Sequence, residues 1–258
     1  MPPDSLSTRK LDKYVIPAKA GIQGKDSAHP ESLDTGLRRH DAVHSVHTLL
    51  RLRYIDDLIW EEGRPDWAVS ALQLAPWLVV RRAAPRPRLW PVGIRGGLRL
   101  QRCAAWLPDA AVEDFVTPER LVATRSWRQR PCADAIPALA LLDEVEAILH
   151  AHGYAGRWGP GGSVGFELAS TLPCVSPNSD LDLVLRAHEP VDVRDAAALW
   201  AALSQLPARI DALLETPVGA VALAEYARGK GVVMLRTSQG SRLVADPWLA
   251  AAAVALSA

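Results

Sequence analysis

The sequence has little of several features that mark whole classes of protein. Only three cysteines occur in 258 residues, at positions 103, 132 and 174, and no two of them form a CxxC pair. This scarcity argues against disulfide staples and against a zinc knuckle. The seven histidines show no metal-binding spacing such as HExxH. No Lys-Ser or Lys-Thr pair follows the glycine-rich stretch, so the chain has no P-loop.

Net charge is also missing, since 29 Lys and Arg balance 29 Asp and Glu. A neutral chain gives no global reason to expect binding to nucleic acid or to an anionic membrane. The apolar run at 249–258 is too short to span a bilayer, and the first residues lack the apolar core of a signal peptide. We therefore expect a cytoplasmic protein without a nucleic-acid or membrane partner.

Lysine is concentrated at one end of the chain. Four of the five lysines lie in residues 1–25, and the fifth is Lys230. Residues 15–41 mix proline, glycine and scattered charge without a regular period. They resemble the translated product of a dispersed intergenic repeat of bacterial genomes, which implies a native start near residues 43–50. The alternative is an ordinary disordered tail. In either case we expect residues 1–45 to carry no function.

The next region, residues 46–132, is interpreted as a small N-terminal mixed domain. Residues 77–82 and 89–94 have the composition of strands. Residues 96–106 have a helix-like spacing of apolar side chains. Residues 117–119 (Thr-Pro-Glu) are typical of a helix N-terminus, with a capping hydroxyl, a first-turn proline and a first-turn acid.

The last region, residues 133–258, has a clearer pattern of alternating helices and strands. This order is typical of an α/β (α+β) domain with a mixed sheet. The predicted helices lie at 137–152, 164–170 and 196–206, the predicted strands at 157–158, 180–185 and 209–215, and a predicted hairpin at 232–244.

One predicted strand carries two acidic residues on the same face. In DLDLVL, residues 180–185, the period of two places Asp180 and Asp182 on one side. Neighbouring carboxylates repel each other, so this face is either solvated or holds a cation. Magnesium typically binds one or two carboxylates together with substrate phosphate oxygens. A solvated edge strand remains the alternative for this motif taken alone.

A glycine-rich turn precedes that strand. Gly161, Gly162 and Ser163 lie where a strand passes into a helix. Glycines let the backbone approach a polyanion, and a helix N-terminus offers unpaired N–H groups. The Ser163 hydroxyl is able to donate to a phosphate oxygen. In the alternative interpretation Ser163 only caps the helix and the glycines only turn the chain.

A third carboxylate, Asp211, lies on the predicted strand at 209–215, on the face opposite Ile210 and Ala212. Beside the strand with Asp180 and Asp182, it completes a possible two-metal site for phosphoryl transfer. Each of the three motifs is weak by itself. Together they indicate a metal-dependent transferase.

The order of these motifs resembles that of the polymerase-beta-like nucleotidyltransferase superfamily. More narrowly, three segments are similar to the phosphoribosyl-dephospho-CoA transferase of malonate decarboxylase. They are GSVGFELASTLPCVSPNSDLDLVL (162–185), DALLETPVGAVALAEYARG (211–229) and LRTSQGSRLVADPW (235–248). PVGIRG and VTPERLV in the first region are similar to the N-terminal domain of the same family.

The resemblance implies a definite reaction. The phosphoribosyl-dephospho-CoA group of 2'-(5''-triphosphoribosyl)-3'-dephospho-CoA would pass to a serine of the acyl carrier protein of malonate decarboxylase, with release of diphosphate. Asp180, Asp182 and Asp211 would then hold Mg²⁺ and perform the catalysis. Gly161, Gly162 and Ser163 would bind the phosphates of the donor.

The resemblance also suggests a protein partner. Acyl carrier proteins are generally acidic, and Arg95, Arg99 and Arg102 fall at helical spacing, so these arginines are a possible carrier-docking face. A solvated face is the alternative. For the whole protein, two other functions stay open: a nucleotidyltransferase that uses a different acceptor, and a non-catalytic nucleotide-binding module.

Overall fold

The computed structural model describes residues 45–98, 100–130 and 136–249 of the chain. Nearly all of the predicted extension at 1–45 lies outside the described residues, as does the predicted docking residue Arg99. The described residues form two six-stranded sheets with helices. The predicted mixed α/β class is therefore confirmed.

The first sheet is antiparallel throughout and has the strand order β2-β5-β4-β3-β1-β6. Its strands are β1 (Leu49–Leu52), β2 (Ile59–Trp60), β3 (Trp77–Val80), β4 (Leu89–Arg95), β5 (Arg102–Pro108) and β6 (Val112–Val116). Helix α1 (Asp66–Leu74) packs its buried Ala68 and Leu72 into the core of this sheet. Short 3₁₀ turns lie at Ile55–Asp57 and Asp109–Ala111.

The helix predicted at 96–106 is wrong, because this segment forms the turn and second strand of a hairpin. β4 has alternating burial, typical of a strand with one face in the core. β5 pairs with β4 along its whole length, from Leu89 opposite Pro108 to Arg95 opposite Arg102. This ladder fixes 102–108 as a strand. The helical face on which the docking prediction for Arg95, Arg99 and Arg102 rested therefore does not exist.

The second sheet is mixed and has the order β12-β11-β10-β9-β8-β7. Only β8 and β9 pair in parallel among its neighbours. Its strands are β7 (Trp158–Pro160), β8 (Leu181–Arg186), β9 (Ile210–Thr216), β10 (Gly219–Ala222), β11 (Val233–Thr237) and β12 (Gly240–Val244). The helices of this part are α2 (Pro118–Thr124), α3 (Pro137–Ala140), α4 (Leu142–Ala151), α5 (Gly162–Ser170), α6 (Val193–Leu203) and α7 (Leu223–Tyr226).

Most elements predicted for the last region are present, with small shifts of their ends. The helix predicted at 137–152 is divided into α3 and α4 at Leu141.

The predicted cap of α2 is confirmed, since the Thr117 hydroxyl accepts a hydrogen bond from the Arg120 N–H at 3.2 Å. Helix α6 makes the crossover that parallel strands require, because a tight turn cannot join β8 to β9.

A buried ion pair links the two sheets. Glu215, at the end of β9, accepts hydrogen bonds from Arg82 Nη2 at 2.7 and 2.8 Å and from His47 Nε2 at 3.0 Å. Burial raises the pKa of Glu215, but the hydrogen bonds and positive charge of His47 and Arg82 outweigh it, so the pKa lies below its usual value. The ionised carboxylate therefore contributes stability that is lost as the pH falls through this lowered pKa.

None of the described helices is long and apolar enough to cross a membrane.

We expect Glu215→Ala to lower the free energy of unfolding by roughly 3–5 kcal/mol, because the half-buried Arg82 guanidinium loses its counter-charge. Urea denaturation at pH 7 measures this change. Glu189→Ala removes an exposed glutamate and is the control, with an expected effect within about 0.5 kcal/mol. A Glu215 variant as stable as this control would contradict the assignment.

Candidate active site

Four of the predicted site residues, Gly161, Gly162, Asp182 and Asp211, line a cavity of about 800 Å³ that both sheets border. From the second sheet and its helices come Gly161, Gly162, Phe166, Asp182 and Asp211. From the first region come two basic residues of the β4–β5 hairpin together with His47 and Trp67. The cavity therefore joins acidic, basic and apolar surfaces.

Among the described residues, three acidic ones line this cavity, Glu62, Asp182 and Asp211, and the last two lie side by side. β8 and β9 are parallel, and their register places Asp182 directly opposite Asp211. Neighbours in register point to the same face of a sheet, and the buried Leu181 and Leu183 occupy the other face of β8. The sheet register thus brings together two carboxylates that are 29 residues apart in the sequence.

The pKa of Asp182 is raised by its buried position and by the neighbouring carboxylates. Burial raises the pKa of Asp182, and the carboxylates of Asp211 and Asp180 raise it further. The positive charges of Arg95 and His47 lower it but do not offset the increase. Among the described residues, Asp182 has no ion-pair partner. Its negative charge is therefore held at a cost in free energy, which a bound cation would remove.

Asp180 lies outside the cavity wall. It comes just before β8, is half-buried, and its Oδ2 lies 3.6 Å from Nη1 of the exposed Arg209. A surface pair of this kind contributes little to stability. Asp180 remains close enough to raise the pKa of Asp182. The structure therefore brings Asp182 and Asp211 together directly and Asp180 only as a charged neighbour.

The glycines of the GPGGSVG segment have different tasks. A Cβ on Gly162 would lie 1.7 Å from Asp182 Oδ2, and Gly162 has a φ of +53°. A Cβ on Gly159 would lie 2.1 Å from the Pro118 carbonyl, and one on Gly165 2.5 Å from the Pro160 carbonyl. Gly159 and Gly165 therefore permit close packing of helices, whereas Gly162 leaves room for a carboxylate of the cavity.

The turn predicted to bind phosphate lies at the start of helix α5. The Gly161 N–H donates to the Asp182 carbonyl at 2.9 Å, so this amide is already occupied. The amides of the first helical turn lack acceptors within their own helix. Ser163 is only 6% exposed, and it is not among the described residues that line the cavity. Its contact with phosphate remains a prediction.

A buried glutamate holds the long loop between α5 and β8. Glu167 accepts hydrogen bonds from Arg130 Nη2 at 2.9 Å and from the N–H groups of Cys174 and Val175 at 2.7 and 2.8 Å. Burial raises the pKa of Glu167, but these donors more than compensate and bring it below its usual value. Burial and the charge of Glu167 raise the pKa of Cys174 to about 11, so this thiol is protonated near neutral pH.

Sequence reasoning missed the contribution of the first sheet to the site. His47 follows directly on the extension at 1–45 that is predicted to carry no function, yet it lines the cavity and binds Glu215. Arg95 and Arg102 were placed on a helix, yet they face each other across a hairpin and line the same cavity. Gly96-Gly97, directly after the strand predicted at 89–94, was the local signal for a hairpin turn.

The residues present fit a magnesium ion bound together with phosphate. Within the described part of the chain, no three His, Cys, Asp or Glu side chains form a complete metal site. Magnesium does not require one, since it commonly binds one or two carboxylates, substrate phosphates and waters. Asp182 and Asp211 supply hard oxygen donors, and their mutual repulsion favours a cation between them.

Comparison with known proteins gives a consistent result over both halves of the chain. Residues 38–118 match the N-terminal domain of phosphoribosyl-dephospho-CoA transferase MdcG, and residues 125–247 match its C-terminal domain. No solved structure matches the chain.

Relatives with that name align over most of their length. The phosphoribosyl-dephospho-CoA transferase of Azotobacter vinelandii is 42% identical over 216 residues, which cover 81% of this chain and 100% of the relative. The protein of the same name from Pseudomonas aeruginosa is 41% identical over 187 residues, 72% of this chain and 86% of the relative. The one from Klebsiella pneumoniae strain 342 is 38% identical over 200 residues, 74% and 94% of the two chains.

We expect Asp182→Asn to make the protein more stable in EDTA at pH 7, with a melting temperature about 2–4 °C higher. A raised pKa means that the folded state holds this proton more tightly than the unfolded chain. Stability therefore falls as the pH rises above the ordinary Asp pKa, and a neutral amide avoids that loss. Differential scanning calorimetry measures the shift. Asp109→Asn, at an exposed aspartate, should leave the melting temperature unchanged; a lower value for the Asp182 variant would refute the repulsion.

The role of Gly162 is tested by comparison with a second glycine of left-handed backbone. Gly156 has a φ of +67° and open space around its Cβ position, whereas a Cβ on Gly162 meets Asp182. Gly156→Ala and Gly162→Ala share the backbone strain, which costs roughly 1 kcal/mol in each. We expect only Gly162→Ala to lower activity, by roughly tenfold or more, through displacement of Asp182. Equal activity losses in the two variants would contradict the crowding at Gly162.

Proposed function

The chain belongs to the family of phosphoribosyl-dephospho-CoA transferases, and from this premise we propose that it modifies the acyl carrier protein of malonate decarboxylase. The donor is 2'-(5''-triphosphoribosyl)-3'-dephospho-CoA, and the acceptor is a serine hydroxyl of the carrier. A bond forms between the serine oxygen and the phosphorus next to the ribose. The bond from that phosphorus to diphosphate breaks, and the hydroxyl proton leaves.

The observation that carries this proposal is the pairing of Asp182 with Asp211 on the wall of a cavity with a glycine-rich turn. When bound there, Mg²⁺ would neutralise charge on the triphosphate and on the departing diphosphate. The chain then has little covalent chemistry to perform. Its residues position the reactants and compensate charge, which are the main sources of rate in phosphoryl transfer.

Each acidic residue has a distinct place in this proposal. Asp182 is half-buried and would hold the metal ion, since its raised pKa reflects a charge without compensation. Asp211 is exposed to the cavity, so it would share the ion or accept the proton of the carrier serine. Asp180 would add a third ligand or a supporting negative charge. Gly162 keeps the space beside Asp182 open for phosphate.

The test is transfer to a purified carrier, measured on the intact carrier by mass spectrometry. Donor, Mg²⁺ and the apo-carrier are incubated with the protein, and the carrier mass should rise by one phosphoribosyl-dephospho-CoA group. A carrier with its acceptor serine changed to alanine should remain unmodified. Diphosphate released without carrier modification would indicate another acceptor, and binding of donor without release would indicate a non-catalytic module.

We expect Asp182→Ala and Asp211→Ala to lower the transfer rate by roughly a thousandfold or more, because each removes a ligand at the reacting phosphate. Asp180→Ala should also abolish transfer if it completes the metal site. Asp109→Ala is the matched control and should retain full activity. Normal turnover in the Asp182 or Asp211 variant, with folding checked by circular dichroism, would refute the metal assignment.

A further inference from the structure

The cavity has a second pair of like charges, which are positive where the Asp182–Asp211 pair is negative. Arg95 ends β4 and Arg102 begins β5, and the hairpin register places them directly opposite each other. Both line the cavity. Like charges at directly opposed positions of an antiparallel pair are unfavourable. This arrangement is therefore costly in the free protein, and an anion between the two guanidinium groups would relieve it.

These two guanidinium groups have no partner within the described chain, where neither forms an ion pair or a hydrogen bond. Arg102 is exposed, whereas Arg95 is half-buried, and three other half-buried arginines do have a partner. Arg82 pairs with Glu215 at 2.7 Å, Arg130 with Glu167 at 2.9 Å and Arg186 with Glu119 at 2.7 Å. A partly desolvated cation without a counter-charge is unfavourable. Arg95, half-buried and unpaired, is thus the exception that points to a ligand.

The basic pair does not neutralise the acidic pair of the same cavity. Arg95 and Asp182 line the same cavity, yet no ion pair joins them within the described residues. Asp182 and Asp211 face each other in one register, and Arg95 and Arg102 face each other in another. The acidic pair and the basic pair therefore line the same cavity of about 800 Å³ without pairing to each other. A ligand with several negative charges and an accompanying divalent cation satisfies both walls at once.

We propose that Arg95 and Arg102 bind the triphosphate of the donor, and that the first sheet thereby supplies half of the substrate site. This inference rests on the proposed function. It replaces docking of the carrier as the role of these arginines, because they line the cavity that holds the carboxylates. Guanidinium groups suit this task, since their planar N–H donors bind phosphate oxygens in pairs.

The direct test is binding of Mg²⁺-tripolyphosphate, measured by isothermal titration calorimetry without carrier or turnover. We expect Arg95→Gln and Arg102→Gln to weaken binding by roughly tenfold or more each, as for loss of a charge-assisted hydrogen bond. Arg53→Gln is the matched control, because Arg53 is exposed in the same domain and lies outside the cavity lining. Wild-type affinity in the Arg95 variant, or no binding by the wild-type protein, would overturn the proposal.

Steady-state kinetics with both substrates separate this proposal from carrier docking. We expect Arg95→Gln to raise the KM for the donor by roughly tenfold or more and to leave the KM for the carrier unchanged. A raised KM for the carrier alone would overturn the proposal in favour of docking. If the wild-type protein modifies no carrier, the proposed function fails, and the calorimetric result still decides whether these arginines bind triphosphate.

Discussion

The register between two parallel strands is the constraint on which the site depends. It places Asp182 beside Asp211, and burial and the neighbouring carboxylates raise the pKa of Asp182. Parallel pairing requires the crossover helix α6, so the repulsion is imposed by the topology and cannot relax by slippage of one strand alone. A shift by one residue would move Leu181, Leu183 and Leu185 of β8 out of the core. The core thus enforces an electrostatically unfavourable pair that a bound cation would stabilise.

The first sheet and the residues next to it line the same cavity as Asp182 and Asp211. Glu215 lies four residues after Asp211 on β9, and His47 and Arg82 of the first region neutralise it. That ion pair joins the sheets at the edge of the cavity. Arg95 and Arg102 then approach the acidic pair without pairing to it. Two kinds of carboxylate result on one strand: Glu215, compensated and structural, and Asp211, left available for a ligand.

Much of the second sheet follows from local sequence, whereas the first sheet does not. The period-two pattern of DLDLVL and the glycines before α5 are local signals, so the acidic strand and the glycine-rich turn into the helix were predictable. The contact of Asp182 with Asp211 depends on a long-range register, and resemblance to a family supplied it. The first strand of the hairpin at 89–108 was predicted, but 96–106 was predicted as a helix because its apolar side chains have a helix-like spacing. His47 gave no local signal, since its partner Glu215 lies 168 residues away.

The central claim is that Asp182 and Asp211 share a divalent cation with the phosphates of the donor. The most direct measurement is a crystal structure with Mn²⁺ and tripolyphosphate, in which the anomalous signal of manganese locates the ion. The account predicts a peak about 2.0–2.3 Å from a carboxylate oxygen of each aspartate and from a phosphate oxygen. A peak bound to neither aspartate, with tripolyphosphate present in the cavity, would contradict it.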